Sequence, residues 1–143
     1  MGKNTIKISG LLCAGLVCSS LVAQPAAAPL LTVKEIMNGL ITPATATIWG
    51  AYQLETEGQW QEVENAALAV IGAGNLLALG GAGDGEVGLA TEAPWQQINT
   101  QMIEAARQVL TAVAARDEAA LSNAGNDALY PPCESCHQRY QDQ

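Results

Sequence analysis

The feature that most constrains the fold is a cluster of two cysteines and the only histidine of the chain, Cys133, Cys136 and His137. On a helix, the two thiols lie on one face, and the imidazole follows about one turn after Cys133. This Cys-x-x-Cys-His spacing is the attachment motif of c-type haem, in which both thiols form thioethers to one porphyrin and the histidine is the proximal iron ligand. A chain with this motif needs a pocket for one large apolar group.

Three other interpretations of the cysteine pair compete with haem attachment. A redox dithiol usually opens a helix after a strand in a βαβ unit, and the sequence has no strand pattern. A zinc site needs four ligands, whereas the motif supplies three and no other cysteine or histidine remains beyond the N-terminal segment. A purely structural helical protein, in which Cys133 and Cys136 form a disulfide, stays open as an alternative.

Residues 1–28 have the pattern of a secretory signal peptide. Lys3 and Lys7 form the basic start, an apolar core follows, and small residues supply a cleavage site. Cys13 and Cys18 lie within this leader, so the mature protein is expected to lack both. Acylation of Cys18, which would give a lipoprotein, is the alternative. Because haem c is attached on the outer side of the bacterial inner membrane, the leader and the motif together predict a periplasmic protein.

Residues 29–143 have the length of one domain, and local signals predict four helices within it. Capping-box patterns begin the first helix at Thr32 and the second at Thr56, since Glu or Gln follows three residues later. Pro94 opens the third helix, where a missing N–H is harmless. The fourth helix is predicted to begin at about Asp117.

Prolines and glycines predict where these helices change course. Pro43 lies inside the first helical pattern and predicts a bend. Pro131 and Pro132 are predicted to break the fourth helix, leaving the cysteine motif on a short helical turn of its own. The glycine-rich stretch 80–93 is predicted to be a flexible link between the second and third helices.

Apolar residues in the first three helices recur in steps of three and four, which is the periodicity of a helix with one buried face, and the fourth helix carries a shorter apolar set. Gly72 and Gly74 fall in the second stripe and predict a close approach of another helix or of the haem. The stripes consist of Val33, Met37, Leu40, Ala44, Ile48 and Ala51; Trp60, Val63, Ala67, Val70, Gly74 and Leu77; Trp95, Ile98, Met102, Ala105, Val109 and Ala112; and Ala120, Leu121, Ala124 and Ala128.

Four helices with short links predict an all-α fold, a four-helix up-down-up-down bundle with covalently bound haem near one end. In this topology the start of the first helix, the end of the second, the start of the third and the end of the fourth meet. The residues expected to converge there are Met37, Leu76, Leu77, the glycine-rich stretch, Trp95 and the segment from Cys133 to His137.

The chain resembles the cytochrome c-prime family, the class II c-type cytochromes, over essentially all of residues 29–143. The resemblance is carried by the motif at the end of an all-helical chain of this size, by Gln138-Arg139-Tyr140 after it and by Met37 early in the first helix. It implies thioethers at Cys133 and Cys136 and a proximal His137. The position of Met37 faces the distal side of the haem in the family, and Lys34 is the candidate basic residue near a propionate.

Two functions follow from this interpretation, and Met37 decides between them. Some members of the family use a methionine at this position as a sixth ligand, and others leave the iron five-coordinate. Six-coordinate iron held by His137 and Met37 suits electron transfer, whereas a five-coordinate iron suits binding or buffering of nitric oxide or another diatomic gas. Met37 as plain core filling is the alternative to ligation. Enzymatic activity is not expected, because the sequence offers no nucleophile–base pair.

Charge narrows the choice of partners. Loss of the leader removes Lys3 and Lys7 and takes the formal net charge from −8 to −10. Nucleic acid and anionic membrane surfaces are therefore not expected as partners, whereas a redox partner protein with a basic docking patch is. A membrane anchor is not expected either, because the apolar core of the leader is short and lies close to the cleavage signal. Members of the family often form antiparallel dimers, so the resemblance also implies a homodimer.

Overall fold

The structure, a computed structural model, describes residues 28–141, which are mostly helical and contain no strand. The all-α fold class is thereby confirmed. The predicted leader, with Cys13 and Cys18, lies outside the described residues except for its last position. The helices are α1 (Val33–Ile36), α2 (Thr42–Trp49), α3 (Glu57–Leu77), α4 (Glu86–Leu89), α5 (Ala93–Ala115), α6 (Glu118–Asn123) and α7 (Tyr130–Tyr140), with π-helical segments at Met37–Ile41 and Ala124–Leu129.

The helix starts lie where the local signals predicted them. Thr32 and Thr56 both form complete capping boxes, with Glu35 and Gln59 as the returning side chains. Asp117 caps α6 by accepting a hydrogen bond from the N–H of Ala120 at 2.9 Å. These contacts satisfy N–H groups that the first turn of a helix otherwise leaves unpaired, so they fix the starting residues.

Pro43 does not end the first helix, because a π-helical segment precedes it. Residues 33–49 are helical without interruption, and the N–H of Thr42 bonds to the carbonyl of Met37, five residues back. A wider turn gives the proline ring room that an α-helical carbonyl four residues back would occupy. The extra residue also changes the buried face, which steps by five from Ile36 to Ile41.

The predicted break at Pro131 and Pro132 is wrong for the same reason. Helical structure runs without interruption over residues 118–140, and the motif lies within a helix of three turns. The N–H of Tyr130 bonds to the carbonyl of Gly125, again five residues back. Both prolines follow this wider turn directly, so it gives their rings room that α-helical carbonyls four residues back would occupy.

The core is built from small and branched side chains on α3 and α5, which pack most extensively against each other. Gly74 permits their close approach, since a Cβ there would lie 2.5 Å from Cγ1 of Ile103. A Cβ at Gly72 would meet nothing within 4 Å, so the predicted close approach of another helix is confirmed for Gly74 and wrong for Gly72. The helical runs 33–49 and 118–140 cover this pair with buried residues such as Ile36, Ile48, Leu121 and Leu129.

The glycine-rich stretch links α3 to α5, as predicted, but it is folded against the start of α1 and contains the short helix α4. Glu86 holds it in place, because its carboxylate accepts hydrogen bonds from the N–H groups of Val33 at 3.0 Å and Gly83 at 2.9 Å. A Cβ at Gly81 would collide with this carboxylate, which explains a glycine there. Within the described chain, no helix combines the length and the apolarity needed to cross a membrane.

Candidate functional site

The motif residues lie on α7 but face two different environments. The side chains of Cys133 and Cys136 are half-buried, whereas His137 is exposed. At about 100° per residue, Cys133 lies between the other two on the helix circumference. The single face expected from the spacing therefore spans the boundary between the protein interior and its surface.

On the interior side, both cysteines line a small and largely apolar cavity of about 20 Å³. Met37 lines the same cavity, so the structure brings this methionine together with both thiols, as the convergence of helix ends predicted. Of the other residues expected there, Leu77 and Trp95 belong to the cavity, whereas Leu76 is 39% exposed. The lining is completed by Ile98, Asn99, Met102 and Pro132.

On the surface side, His137 lines an open groove of about 500 Å³. Cys133 lines both the groove and the cavity, so it joins the two spaces. The other groove residues are Trp49, Tyr130, Glu134, Gln138 and Gln141. Among the described residues, the predicted site is thus divided: Met37 and Cys136 lie with Cys133 on the cavity side, and His137 lies with Cys133 on the groove side.

The thiols are held in their neutral form. Burial, followed by the neighbouring Cys136, raises the pKa of Cys133 from 9.0 to about 11. Burial also raises the pKa of Cys136. Reactive dithiols rely on a lowered pKa that supplies thiolate at neutral pH, so this environment does not favour the redox-dithiol interpretation.

Two hydrogen bonds of the cavity wall were not predicted. Trp95 donates through Nε1 to the carbonyl of Leu77 at 2.8 Å, and Asn99 donates through Nδ2 to the carbonyl of Gly74 at 2.8 Å. Both tie the start of α5 to the end of α3. The Oδ1 atom of Asn99 is buried without a hydrogen-bond partner, which leaves an orphaned acceptor in a residue that lines the cavity. The sequence did not indicate this role for Asn99, because it is a polar residue between two apolar positions of the stripe.

The donor set fits a haem c better than it fits a bare metal ion. Within residues 28–141, no three or more His, Cys, Asp and Glu side chains are grouped to hold a metal ion. A haem iron needs only axial protein ligands, because the porphyrin supplies the others, and an imidazole and a thioether are such ligands. The interior cavity is much smaller than the roughly 300–1,000 Å³ of ordinary ligand pockets, whereas the groove falls within that range.

Comparison of the chain with protein-family models, with curated proteins and with solved structures finds no match. The resemblance to cytochrome c-prime therefore rests on the motif and the helical pattern. Its functional consequences have to be inferred from the residues of this chain.

Proposed function

We propose that this chain is a periplasmic c-type cytochrome of the cytochrome c-prime type that acts in electron transfer. Cys133 and Cys136 hold one haem through thioethers, His137 is its proximal ligand, and Met37 is the candidate sixth ligand. The haem supplies an iron centre that exchanges one electron. The chain would hold this iron centre and shield it from water. No enzymatic activity is proposed for the chain.

One observation carries this proposal: Met37 lines the same cavity as Cys133 and Cys136. Met37 lies near the start of the described chain and the two cysteines lie near its end, so the fold brings a soft thioether to the motif. Methionine is long and flexible enough to reach a metal from a half-buried position. Thioether ligation also favours the ferrous state and raises the reduction potential, which suits an electron carrier.

The proposed architecture is an up-down-up-down bundle with the haem near one end. Contacts between helix ends support it. Trp95 at the start of α5 bonds to Leu77 at the end of α3, and Arg116 after α5 pairs with Glu57 at the start of α3. α3 and α5 are joined at both ends in this way, and therefore run antiparallel. The first and fourth helical runs are joined by a hydrogen bond from Nε1 of Trp49, at the end of α2, to the carbonyl of Gly125.

The apolar lining of the cavity supports the alternative, a five-coordinate haem that binds or buffers nitric oxide or another diatomic gas. Leu77, Ile98 and Met102 would enclose a small neutral ligand without offering it a charge. In that case Met37 is part of the wall and leaves the sixth position open. A spectrum distinguishes the two functions, because methionine–iron bonding gives a low-spin ferric centre with a characteristic near-infrared band.

Export and partners complete the proposal. A leader ending near residue 28 would deliver the chain to the periplasm, where haem c is attached. The strongly acidic mature chain would dock on a basic patch of a redox partner, and neither nucleic acid nor a membrane anchor is part of the proposal. A homodimer is a further expectation from the resemblance.

Acid–acetone extraction tests the proposal. The full chain, with its leader, is produced in a bacterium that carries the haem c maturation machinery. The haem should stay with the polypeptide on extraction, and the double variant Cys133→Ala and Cys136→Ala should release it or contain none. A wild-type protein that releases its haem, or never acquires any, would refute covalent attachment.

A further inference from the structure

We infer that Trp49 and Tyr130 form a second wall of the haem site, on the side of His137, and this inference rests on the proposed function. The two aromatic side chains line the groove into which His137 and Cys133 also face. Neither aromatic residue belongs to the apolar pattern that predicted the site. Their role would be to cover the haem on the groove side and limit its contact with water.

Both aromatic side chains are unusually exposed for their size. Trp49 is 44% exposed and Tyr130 is 51% exposed, and they meet edge to face with ring centroids 6.3 Å apart. Adjacent exposed aromatic rings that are rimmed by polar residues, here Glu134 and Gln138, are typical of a ligand-binding groove. The occupant follows from the neighbours, because the groove contains the proposed iron ligand and one of the proposed thioether positions.

A single carbonyl group holds the two aromatic residues together. The Gly125 carbonyl accepts a hydrogen bond from Nε1 of Trp49 at 2.9 Å and another from the N–H of Tyr130. A Cβ at Gly125 would lie 3.3 Å from Cδ1 of Trp49, so glycine permits the indole to approach this closely. The indole is therefore fixed before any ligand binds, which lowers the ordering cost of binding.

This arrangement depends on the π-helical segment Ala124–Leu129. Its wider turn directs the Tyr130 N–H to Gly125, five residues back, and leaves room for Pro131 and Pro132 in the next turn. π-helical turns are rare and frequently occur at functional sites. The two prolines just before the motif thus have a role at the site, since they favour the segment that positions the aromatic wall.

The available space allows this wall to face the haem. The groove offers about 500 Å³, and Cys133 lines both the groove and the interior cavity. A group attached at Cys133, between Met37 on the cavity side and His137 on the groove side, would therefore have the groove beside its His137 face.

The test uses the haem-loaded full chain and nuclear magnetic resonance. In the diamagnetic ferrous state, with carbon monoxide added if the iron is five-coordinate, haem methyl protons should show nuclear Overhauser contacts to the rings of Trp49 and Tyr130. Trp49→Ala and Tyr130→Ala should each lower the reduction potential, because a more hydrated haem favours the ferric state. Tyr52→Ala is the matched control, since Tyr52 is 72% exposed and does not line the groove.

The outcomes separate the inference from the proposed function. Haem that stays covalently attached, but shows no contact with either ring and the same potential in the Trp49, Tyr130 and Tyr52 variants, overturns the aromatic wall and leaves the cytochrome intact. A chain without covalent haem overturns both. If Trp49→Ala does not accumulate, Trp49→Phe takes its place, because it keeps an aromatic ring and removes the Nε1 donor. The nuclear Overhauser contacts are measured in the wild-type protein and need no variant.

Discussion

Gly74→Ala is expected to destabilise the protein, although alanine is the better helix former. The new Cβ would lie 2.5 Å from Cγ1 and 2.9 Å from Cδ1 of Ile103, and 3.3 Å from Oδ1 of Asn99. Cγ1 belongs to a β-branched side chain that has little freedom at χ1, so the clash is not relieved by moving a flexible tip. Ile103 or the whole of α5 has to shift.

The magnitude follows from two opposing terms. Replacing glycine by alanine inside a helix gains about 1 kcal/mol of stability. Overpacking a well-packed interface costs about 1–3 kcal/mol, and the short distances place this site at the upper end. We therefore expect a net loss of about 2 kcal/mol. Gly72→Ala, with nothing within 4 Å of its Cβ, should show only the gain.

Urea unfolding followed by far-ultraviolet circular dichroism measures both variants. The free energy of unfolding should fall for Gly74→Ala and rise for Gly72→Ala, two residues away on the same helix. Adding Ile103→Ala to Gly74→Ala should recover part of the loss, with a coupling energy of about 1 kcal/mol or more. Equal stabilisation by both glycine substitutions would refute the close packing of α3 against α5.

Three further predictions concern the site. Met37→Ala should turn a low-spin ferric iron high-spin, lower its potential and speed carbon monoxide binding. Met102→Ala is the control, because it removes the buried methionine of the same cavity. It should cost about 2–5 kcal/mol of stability without altering the spin state. If Met37→Ala has the same effect as Met102→Ala, axial ligation by Met37 is wrong. In the haem-free chain, alkylation of Cys133 should have its midpoint near pH 11 when the chain is folded and near pH 9.0 when it is unfolded in urea. Because the unfolded chain loses the thiol proton first, the stability of the folded state should fall as the pH rises from 9.0 to 11. Equal midpoints would contradict burial of the thiol. Trp95→Phe should cost about 0.5–1.5 kcal/mol, measured by thermal unfolding, because the carbonyl of Leu77 loses one of its two donors and keeps the N–H of Gly80. An unchanged melting temperature would count against this bond.

Helix starts could be predicted because their causes are local. The capping boxes at Thr32 and Thr56 involve residues only three apart, and both form as expected. The effect of proline could not be predicted in the same way. Pro43 and the Pro131-Pro132 pair predict an end or a bend of a helix. A π-helical segment before each of them keeps the helix continuous, and no sequence pattern predicted these segments.

The candidate site was predictable where it depends on the order of the helices. Met37 was expected near the cysteines because of the topology, and it lines their cavity. The division between half-buried thiols and an exposed His137 was not expected, since spacing alone gives one helix face and not its depth. Asn99 was missed because a polar residue within an apolar stripe suggests a solvent position, whereas this one bonds across to Gly74.

The central claim is that Cys133 and Cys136 hold one haem covalently, and peptide mass spectrometry tests it most directly. Trypsin cleavage after Arg116 and Arg139 should release residues 117–139 from the mature protein, produced with its leader under haem c maturation conditions. We expect this peptide to carry the mass of one haem and to resist alkylation at both cysteines. A peptide without haem, whose cysteines are alkylated directly or after reduction of a disulfide, would contradict the claim.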